Sequence, residues 1–206
     1  MRSKTKVMVL TAVLVAIMLL FGFTPIGYIP LGVIQITLMC IPLIIGTLVL
    51  GLKVGFVLGI IFACTSLAQL LMGSSGIMTL LFTNPVNAYD PALMILNIFV
   101  PRLLLAPIIY YSYKGLMKVI KRKNVVTAIC SAIGSLANTF IFLGMLYVFL
   151  GESINVLLGQ YGLPYESSFA MVGVIVLTNG LPEVIAAVAI CTPIIVALRK
   201  VYRQEI

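Results

Sequence analysis

The chain has 206 residues and a net charge of +8; 62% of its residues are hydrophobic and only 9% are charged. A soluble domain carries about 25% charged residues, so the composition excludes an ordinary soluble domain and predicts an integral membrane protein. The positive charge does not indicate nucleic-acid binding, because the basic residues lie at the ends of apolar runs and not in one patch with interleaved aromatic residues.

Six apolar runs approach the roughly 20 residues that a helix needs to cross the hydrocarbon core of a bilayer. In chain order they lie at about 7–23, 33–50, 54–72, 92–113, 125–150 and 169–198. The first run resembles a cleaved signal peptide in its basic flank, but no small-x-small cleavage site follows, so we interpret it as a helix. We therefore predict an all-α bundle of six transmembrane helices that forms a single domain over residues 1–206.

The basic residues alternate between the connections of these runs. Lys and Arg occur before the first run, in the short turn 51–53, between the fourth and fifth runs, and after the sixth. The other three connections, about 24–32, 73–91 and 151–168, contain neither residue. Because cytoplasmic connections carry the excess of Lys and Arg, both termini are predicted to be cytoplasmic. The long outer connections predict a lid or a binding mouth on the opposite side.

Two residues carry a full charge within the predicted spans, Arg102 and Glu183. On insertion scales each costs about 2.5–3.5 kcal/mol at a helix centre, so each should face the protein interior or water. One interpretation is a buried ion pair that joins the fourth helix to the sixth. The other is that one or both contact a ligand, and the two overlap because a carboxylate can orient an arginine that binds something else.

Amide side chains accompany these charges. Asn179 lies four residues before Glu183 on the same helix face, and Pro182 between them frees a backbone carbonyl. The remaining amides within or near the spans are Asn97, Asn138 and Gln69. Each alone is typical of an interhelical hydrogen bond worth about 0.6 kcal/mol. Taken together, they predict a polar cup that opens to the outside.

Small residues mark two packing surfaces. Ala12 and Ala16 form an AxxxA step on the first predicted helix, which serves either internal packing or the docking of another membrane protein. A second series predicts a close approach of the third helix to a neighbouring backbone; its members are Gly51, Gly55, Gly59 and Ala63.

Several function classes lack their motifs here. The chain has no GxxxxGK[ST], HExxH or GxSxG sequence and no histidine, so we predict no catalytic residues, no metal ligands and no ATP hydrolysis by this polypeptide. A channel needs polar residues along a whole pore, and a stand-alone carrier commonly shows an inverted repeat. A binding protein without its own motor fits better. Two alternatives stay open: a membrane-integral enzyme acting on lipid or peptide, and a structural subunit whose polar groups pack without a cavity.

Six short helices, the AxxxA step and a long first outer loop resemble the S components of energy-coupling factor (ECF) vitamin transporters. A finer likeness is to the pantothenate-type S components. It is carried by TPIGYIPLG (24–32), IPLIIGTLVLGLKVGFVLG (41–59), FVPRLLLAPIIYYSYK (99–114), GSLANT (134–139) and NGLPEVI (179–185). The resemblance implies a non-enzymatic, substrate-capturing subunit of the bacterial cytoplasmic membrane that docks through Ala12 and Ala16. Its implied partners are a transmembrane coupling subunit and two ATPase subunits, which hydrolyse the ATP, so the chain needs no cofactor of its own.

The cargo implied by this likeness is pantothenate, with another vitamin or a related small molecule as the alternative. Pantothenate has a carboxylate, an amide and two hydroxyl groups. Arg102 would bind the carboxylate as a two-pronged donor, and Asn138 and Asn179 would hold the amide. Glu183 would accept a hydroxyl or steady Arg102. Asn97 and Gln69 complete the predicted set of substrate-binding residues.

Overall fold

The protein is predominantly helical, with one short β-hairpin. The computed structural model describes residues 4–24, 27–31, 34–74, 77–162 and 166–202. The elements in chain order are α1 (Lys4–Phe23), β1 (Tyr28–Leu31), β2 (Ile34–Thr37), α2 (Cys40–Leu50), α3 (Leu52–Leu71), α4 (Ile77–Thr83), α5 (Asp90–Val119), α6 (Lys123–Tyr161), α7 (Ser168–Ile175), a π-helical turn (Val176–Gly180) and α8 (Leu181–Tyr202).

Five helical segments of the described chain are long and apolar enough to cross a membrane. They are Lys4–Phe23, Leu52–Leu71, Asp90–Val119, Lys123–Tyr161 and Ser168–Lys200. The predicted helical membrane architecture is therefore confirmed. The count of six spans, the cytoplasmic termini and the single-domain organisation stay predictions.

The prediction of one continuous helix over 33–50 is wrong in its first part. Residues Ile34–Thr37 form β2, which pairs antiparallel with β1 in the register Tyr28 opposite Thr37. The alternating, β-branched sequence IQIT favours a strand over a helix. The helix α2 that follows has 11 residues, all of them buried. At 1.5 Å per residue it is about 16 Å long, which is short of the roughly 30 Å hydrocarbon core.

Two other predicted boundaries differ because helices continue into the outer connections. Helix α6 has 39 residues and ends at Tyr161, beyond the predicted limit of 150. At about 58 Å it is longer than the hydrocarbon core, so one end extends past it. The buried face near this end, which includes Ile154 and Leu157, belongs to an apolar cluster with Leu81 of α4 and Met171 of α7. The connection 73–91 likewise contains a helix, α4.

The last predicted span, 169–198, is interrupted by the π-helical turn. This turn ends two residues before Pro182, which lacks the amide that would bond to the Thr178 carbonyl in a regular α-helix. A wider turn at such a point is a common feature of functional sites. Asn179 is one of the five residues of this π-helical turn.

The small residues of α3 allow the close helix contact that their spacing predicts. A Cβ atom at Gly59 would lie 2.8 Å from the carbonyl oxygen of Arg102, and one at Gly55 would lie 2.9 Å from the Cβ of Ala106. Both neighbours belong to α5. Glycines at these positions therefore set the distance between α3 and the backbone that carries Arg102.

Candidate substrate-binding site

A cavity lies among α3, α5, α6, the π-helical turn and the start of α8, and the end of β2 contributes to its wall. The empty space in this cavity and at its open mouth together amounts to about 820 Å³. Its polar lining consists of Thr37, Ser66, Gln69, Asn97, Arg102, Asn138, Thr139, Asn179 and Glu183. Its apolar lining consists of Leu70, Met78, Met94, Ile98, Phe142, Leu143 and Ile175.

All six predicted substrate-binding side chains line this one cavity, although they come from five separate helical elements. They are Gln69, Asn97, Arg102, Asn138, Asn179 and Glu183. The alternative in which these groups pack together without space among them is not what the structure shows. Their contact with a substrate stays a prediction.

Arg102 is held by its own helix and by aromatic rings. Its Nη1 donates a hydrogen bond to the Asn97 carbonyl oxygen at 3.2 Å. This carbonyl lacks its usual helical donor because Pro101 stands four residues later and has no N–H. The guanidinium carbon lies 4.4 Å from the ring centre of Phe142 and 5.2 Å from that of Phe62, both within cation–π range. The side chain is 7% exposed, so its charge is fixed in orientation at the cavity wall.

Glu183 joins three elements. One carboxylate oxygen accepts a hydrogen bond from the backbone N–H of Thr37, at the end of β2, at 2.7 Å. The other accepts a hydrogen bond from the hydroxyl of Thr139 in α6 at 3.1 Å. Glu183 itself lies in the first turn of α8 and is 5% exposed. Each of its two oxygens therefore has an uncharged donor, which fits a residue that organises the wall of the cavity.

Three buried asparagines have polar atoms without a hydrogen-bond partner among the described residues. They are both Oδ1 and Nδ2 of Asn97, Oδ1 of Asn138 and Nδ2 of Asn179. Asn97 is completely buried, and the other two are at most 4% exposed. Most buried polar groups form hydrogen bonds, and leaving one unsatisfied costs about 1–3 kcal/mol. All three residues line the cavity, and their role in binding a molecule there stays a prediction.

Gln69 has a structural contact besides its place in the cavity wall. Its Nε2 donates a hydrogen bond to the carbonyl oxygen of Gly22 at 2.6 Å. This bond ties α3 to the last turn of α1. Gln69 therefore lines the cavity and also holds the end of α1, the helix that precedes the β-hairpin.

Three polar lining residues were not among the predicted substrate contacts: Thr37, Ser66 and Thr139. Ser66 lies three residues before Gln69 on the same face of α3, and this spacing is a signal that could have found it. Thr139 follows Asn138 directly, and its role depends on the meeting of α6 and α8 in space. Thr37 was assigned to a helix, and the sequence around it contains no sign of its contact with Glu183.

Ala12 and Ala16 are exposed on α1, whereas Leu14, Met18 and Gly22 are its buried residues. Their exposure is at odds with internal packing, which was one of the two interpretations of the AxxxA step. The docking of a membrane partner at this face stays a prediction.

The sequence match to known proteins agrees with this arrangement. The family model described as ECF transporter, substrate-specific component, matches residues 6–196. The chain belongs to this family. Among curated proteins, none matches the chain. As an ECF S component, the protein is a substrate-binding membrane subunit of a transporter, and the family associates with an ECF transmembrane and ATPase module. The predicted membership of the ECF S components and the predicted class, a transport protein, are thereby confirmed, whereas the pantothenate-type likeness stays a prediction.

Proposed function

We propose that this S component captures pantothenate from outside the cell, in the bacterial cytoplasmic membrane, with both of its termini in the cytoplasm. The observation that carries the proposal is a fully buried Asn97, with neither amide atom hydrogen-bonded within the described chain, beside Arg102 in one cavity. A protein gains nothing in stability from such an arrangement. It gains specificity for a ligand that supplies the missing partners.

The chemistry of the cavity matches the chemistry of the cargo. Arg102 supplies a permanent positive charge and planar donors for a carboxylate. Asn97, Asn138 and Asn179 supply both donors and acceptors for an amide and two hydroxyl groups. The apolar side chains that complete the lining suit the methyl-substituted carbon chain of pantothenate. A cationic cargo is disfavoured by Arg102.

The second part of the proposal concerns transport. The exposed face of α1 with Ala12 and Ala16 docks on the transmembrane coupling subunit, where small side chains permit close helix contact. Two ATPase subunits hydrolyse the ATP, so the isolated S component binds its cargo without nucleotide. Gln69 takes part in cargo binding through its side-chain oxygen, because its side-chain nitrogen donates to the Gly22 carbonyl.

The cargo is tested by native mass spectrometry of the purified protein, followed by calorimetric titration with pantothenate. We expect a co-purified molecule with the mass of pantothenate and stoichiometric, saturable binding. A different small molecule in the spectrum, together with no heat on titration, would replace pantothenate with that molecule. A membrane enzyme would instead convert the added ligand, so the mass of the ligand recovered after incubation separates the two classes.

A further inference from the structure

The Arg102 guanidinium contacts two phenylalanine rings that differ in their relation to the cavity. The ring of Phe62 in α3 is completely buried, and its centre lies 5.2 Å from the guanidinium carbon. The ring of Phe142 in α6 lies closer, at 4.4 Å, and is part of the cavity lining. Among the described residues that line the cavity, Phe142 is the one aromatic side chain. The ring nearest to the guanidinium is thus the one that a molecule in the cavity also reaches.

A ring face holds a guanidinium in a way that suits the binding of an anion. The attraction comes from the negative face of the ring and uses none of the five N–H donors of arginine. A carboxylate partner would also hold the cation, but it would compete with a carboxylate of the cargo. The oxygens of Glu183, the carboxylate in this cavity, accept hydrogen bonds from Thr37 and Thr139. Phe142 therefore holds the guanidinium without occupying the groups that bind the cargo.

The ring acts on the side chain of Arg102, because the backbone of this residue is fixed by other contacts. A Cβ atom at Gly59 would lie 2.8 Å from the Arg102 carbonyl oxygen, so α3 packs directly against the backbone here. The hydrogen bond from Nη1 to the Asn97 carbonyl holds one corner of the guanidinium at 3.2 Å. One bond leaves rotation about that bond open, and stacking on a ring face restricts the plane. Phe142 thereby supplies, before cargo binds, an ordering that binding would otherwise cost.

We propose that Phe142 is a positioning residue that determines specificity for a carboxylate, because its ring face orients the Arg102 guanidinium toward the cargo. The inference rests on the proposed function in that the cargo is an anion bound in this cavity. Phe142 acts through Arg102 and not through its own contact with the anion. Weakening the attraction between ring and cation should therefore weaken the binding of a carboxylate cargo and leave an uncharged analogue unaffected.

Ring fluorination tests this attraction at nearly constant side-chain shape. Phenylalanine analogues with one, two and three fluorine atoms on the ring are introduced at position 142 by amber suppression. Each fluorine withdraws electrons from the ring face and so weakens its attraction for a cation. The same series at Phe140, an exposed residue two positions earlier in α6, is the matched control. Phe142→Leu keeps an apolar side chain without a ring and serves as a conventional variant.

Affinities are measured by calorimetric titration in detergent with pantothenate and with the analogue in which a primary alcohol replaces the carboxylate. We expect the affinity for pantothenate to fall stepwise with fluorination at position 142, by about two- to tenfold for three fluorine atoms, which is the effect of ordering one long side chain on binding. The affinity for the alcohol should stay constant. Phe142→Leu should reduce the preference for pantothenate over the alcohol by a similar factor, and the series at Phe140 should change neither affinity.

Three results would overturn the proposal. An equal loss of affinity for both ligands would show that Phe142 only packs against the cargo. Affinities that do not change with fluorination would show that the ring does not act through its charge distribution. A gain in pantothenate affinity would mean that the ring face contacts the carboxylate itself, because fluorination makes that face less repulsive to an anion.

The melting temperature of the cargo-free protein separates this proposal from the proposed cargo. If the ring face attracts the guanidinium, the melting temperature should fall stepwise with fluorination at Phe142 and stay constant with fluorination at Phe140. Apolar packing alone predicts a constant or higher melting temperature, because fluorine adds apolar surface. A parent protein that binds neither ligand would refute the proposed cargo, whereas the melting temperatures would still decide whether Phe142 holds Arg102.

Discussion

Removal of the Arg102 charge is the most direct test of an anionic cargo. In Arg102→Ala the cavity loses its cation, and Phe142 and Phe62 lose the guanidinium that lies against their rings at 4.4 and 5.2 Å. In Arg102→Lys the charge remains, but the planar fork that matches a carboxylate is lost. The two variants therefore separate the contribution of charge from that of geometry.

The expected magnitude follows from the site. A guanidinium has five N–H donors, so the bond to the Asn97 carbonyl does not exhaust its capacity to hold a carboxylate. Hydrogen bonds to charged groups contribute about 1.5–3 kcal/mol each, and about 3 kcal/mol corresponds to a factor of roughly one hundred in affinity. We expect Arg102→Ala to weaken pantothenate binding by about this factor or more, and Arg102→Lys to weaken it by about tenfold.

The assay is calorimetric titration of the detergent-solubilised subunit with pantothenate and with its analogue in which a primary alcohol replaces the carboxylate. The parent should prefer pantothenate strongly, and Arg102→Ala should bind both ligands equally, which gives a coupling energy of about 2–3 kcal/mol between arginine and carboxylate. Arg199→Ala is the matched control, because Arg199 is also bonded and ring-stacked, to Thr127 and Tyr113, but does not line the cavity. An unchanged preference for pantothenate in Arg102→Ala would refute the reasoning.

Three further changes have expected outcomes that separate binding, docking and stability. Ala12→Leu combined with Ala16→Leu should stop vitamin uptake by cells, while the isolated subunit binds cargo normally. The control Ala189→Leu changes another exposed alanine and should leave uptake intact. Normal uptake in the double variant would remove α1 as the docking face. Asn97→Leu should raise the stability of the cargo-free protein by about 1–3 kcal/mol, because it removes unsatisfied polar atoms from the interior. The same substitution should abolish cargo binding. A lower melting temperature in detergent would contradict the predicted gain in stability. Gly59→Ala should lower stability by about 1–3 kcal/mol, because the added methyl group overpacks against the carbonyl of Arg102 despite the better helix propensity of alanine. An unchanged melting temperature would show that α3 and α5 adjust their distance without cost.

The polar residues of the cavity could be predicted because their cost in a membrane interior is high. Arg102 and Glu183 each stand alone in an apolar run, and Asn179 lies four residues from Glu183 on one helix face. Such residues must face the interior, and interior space in a small bundle is limited. The cavity that unites them agrees with that reasoning, and it includes Asn97 and Asn138 from two other helices.

The β-hairpin and the role of Thr37 could not be predicted in the same way. Residues 33–50 are mostly apolar, and hydropathy alone does not separate a short strand followed by a short buried helix from one long helix, although the alternation in IQIT is a local signal for a strand. The decisive contact is between a backbone N–H at position 37 and a carboxylate at position 183. A backbone N–H is present at almost every residue, so no side-chain pattern predicts this hydrogen bond.

The two ionic residues of the cavity share a local feature that explains how apolar helices accommodate them. Each is directly preceded by a proline, in the pairs Pro101–Arg102 and Pro182–Glu183. A proline removes one helical donor and leaves the carbonyl four residues earlier without its usual partner. In the first pair, the Arg102 guanidinium donates a hydrogen bond to the Asn97 carbonyl that Pro101 leaves without its helical donor. In the second pair, the helix widens into the π-helical turn just before Pro182. In both cases the carbonyl that lacks its usual α-helical donor lies five residues before the charge, so backbone and side chain supply polar groups in the same part of the helix. The cavity thus receives its two charges at points where the backbone hydrogen bonding is also altered, which concentrates polar groups inside an otherwise apolar bundle.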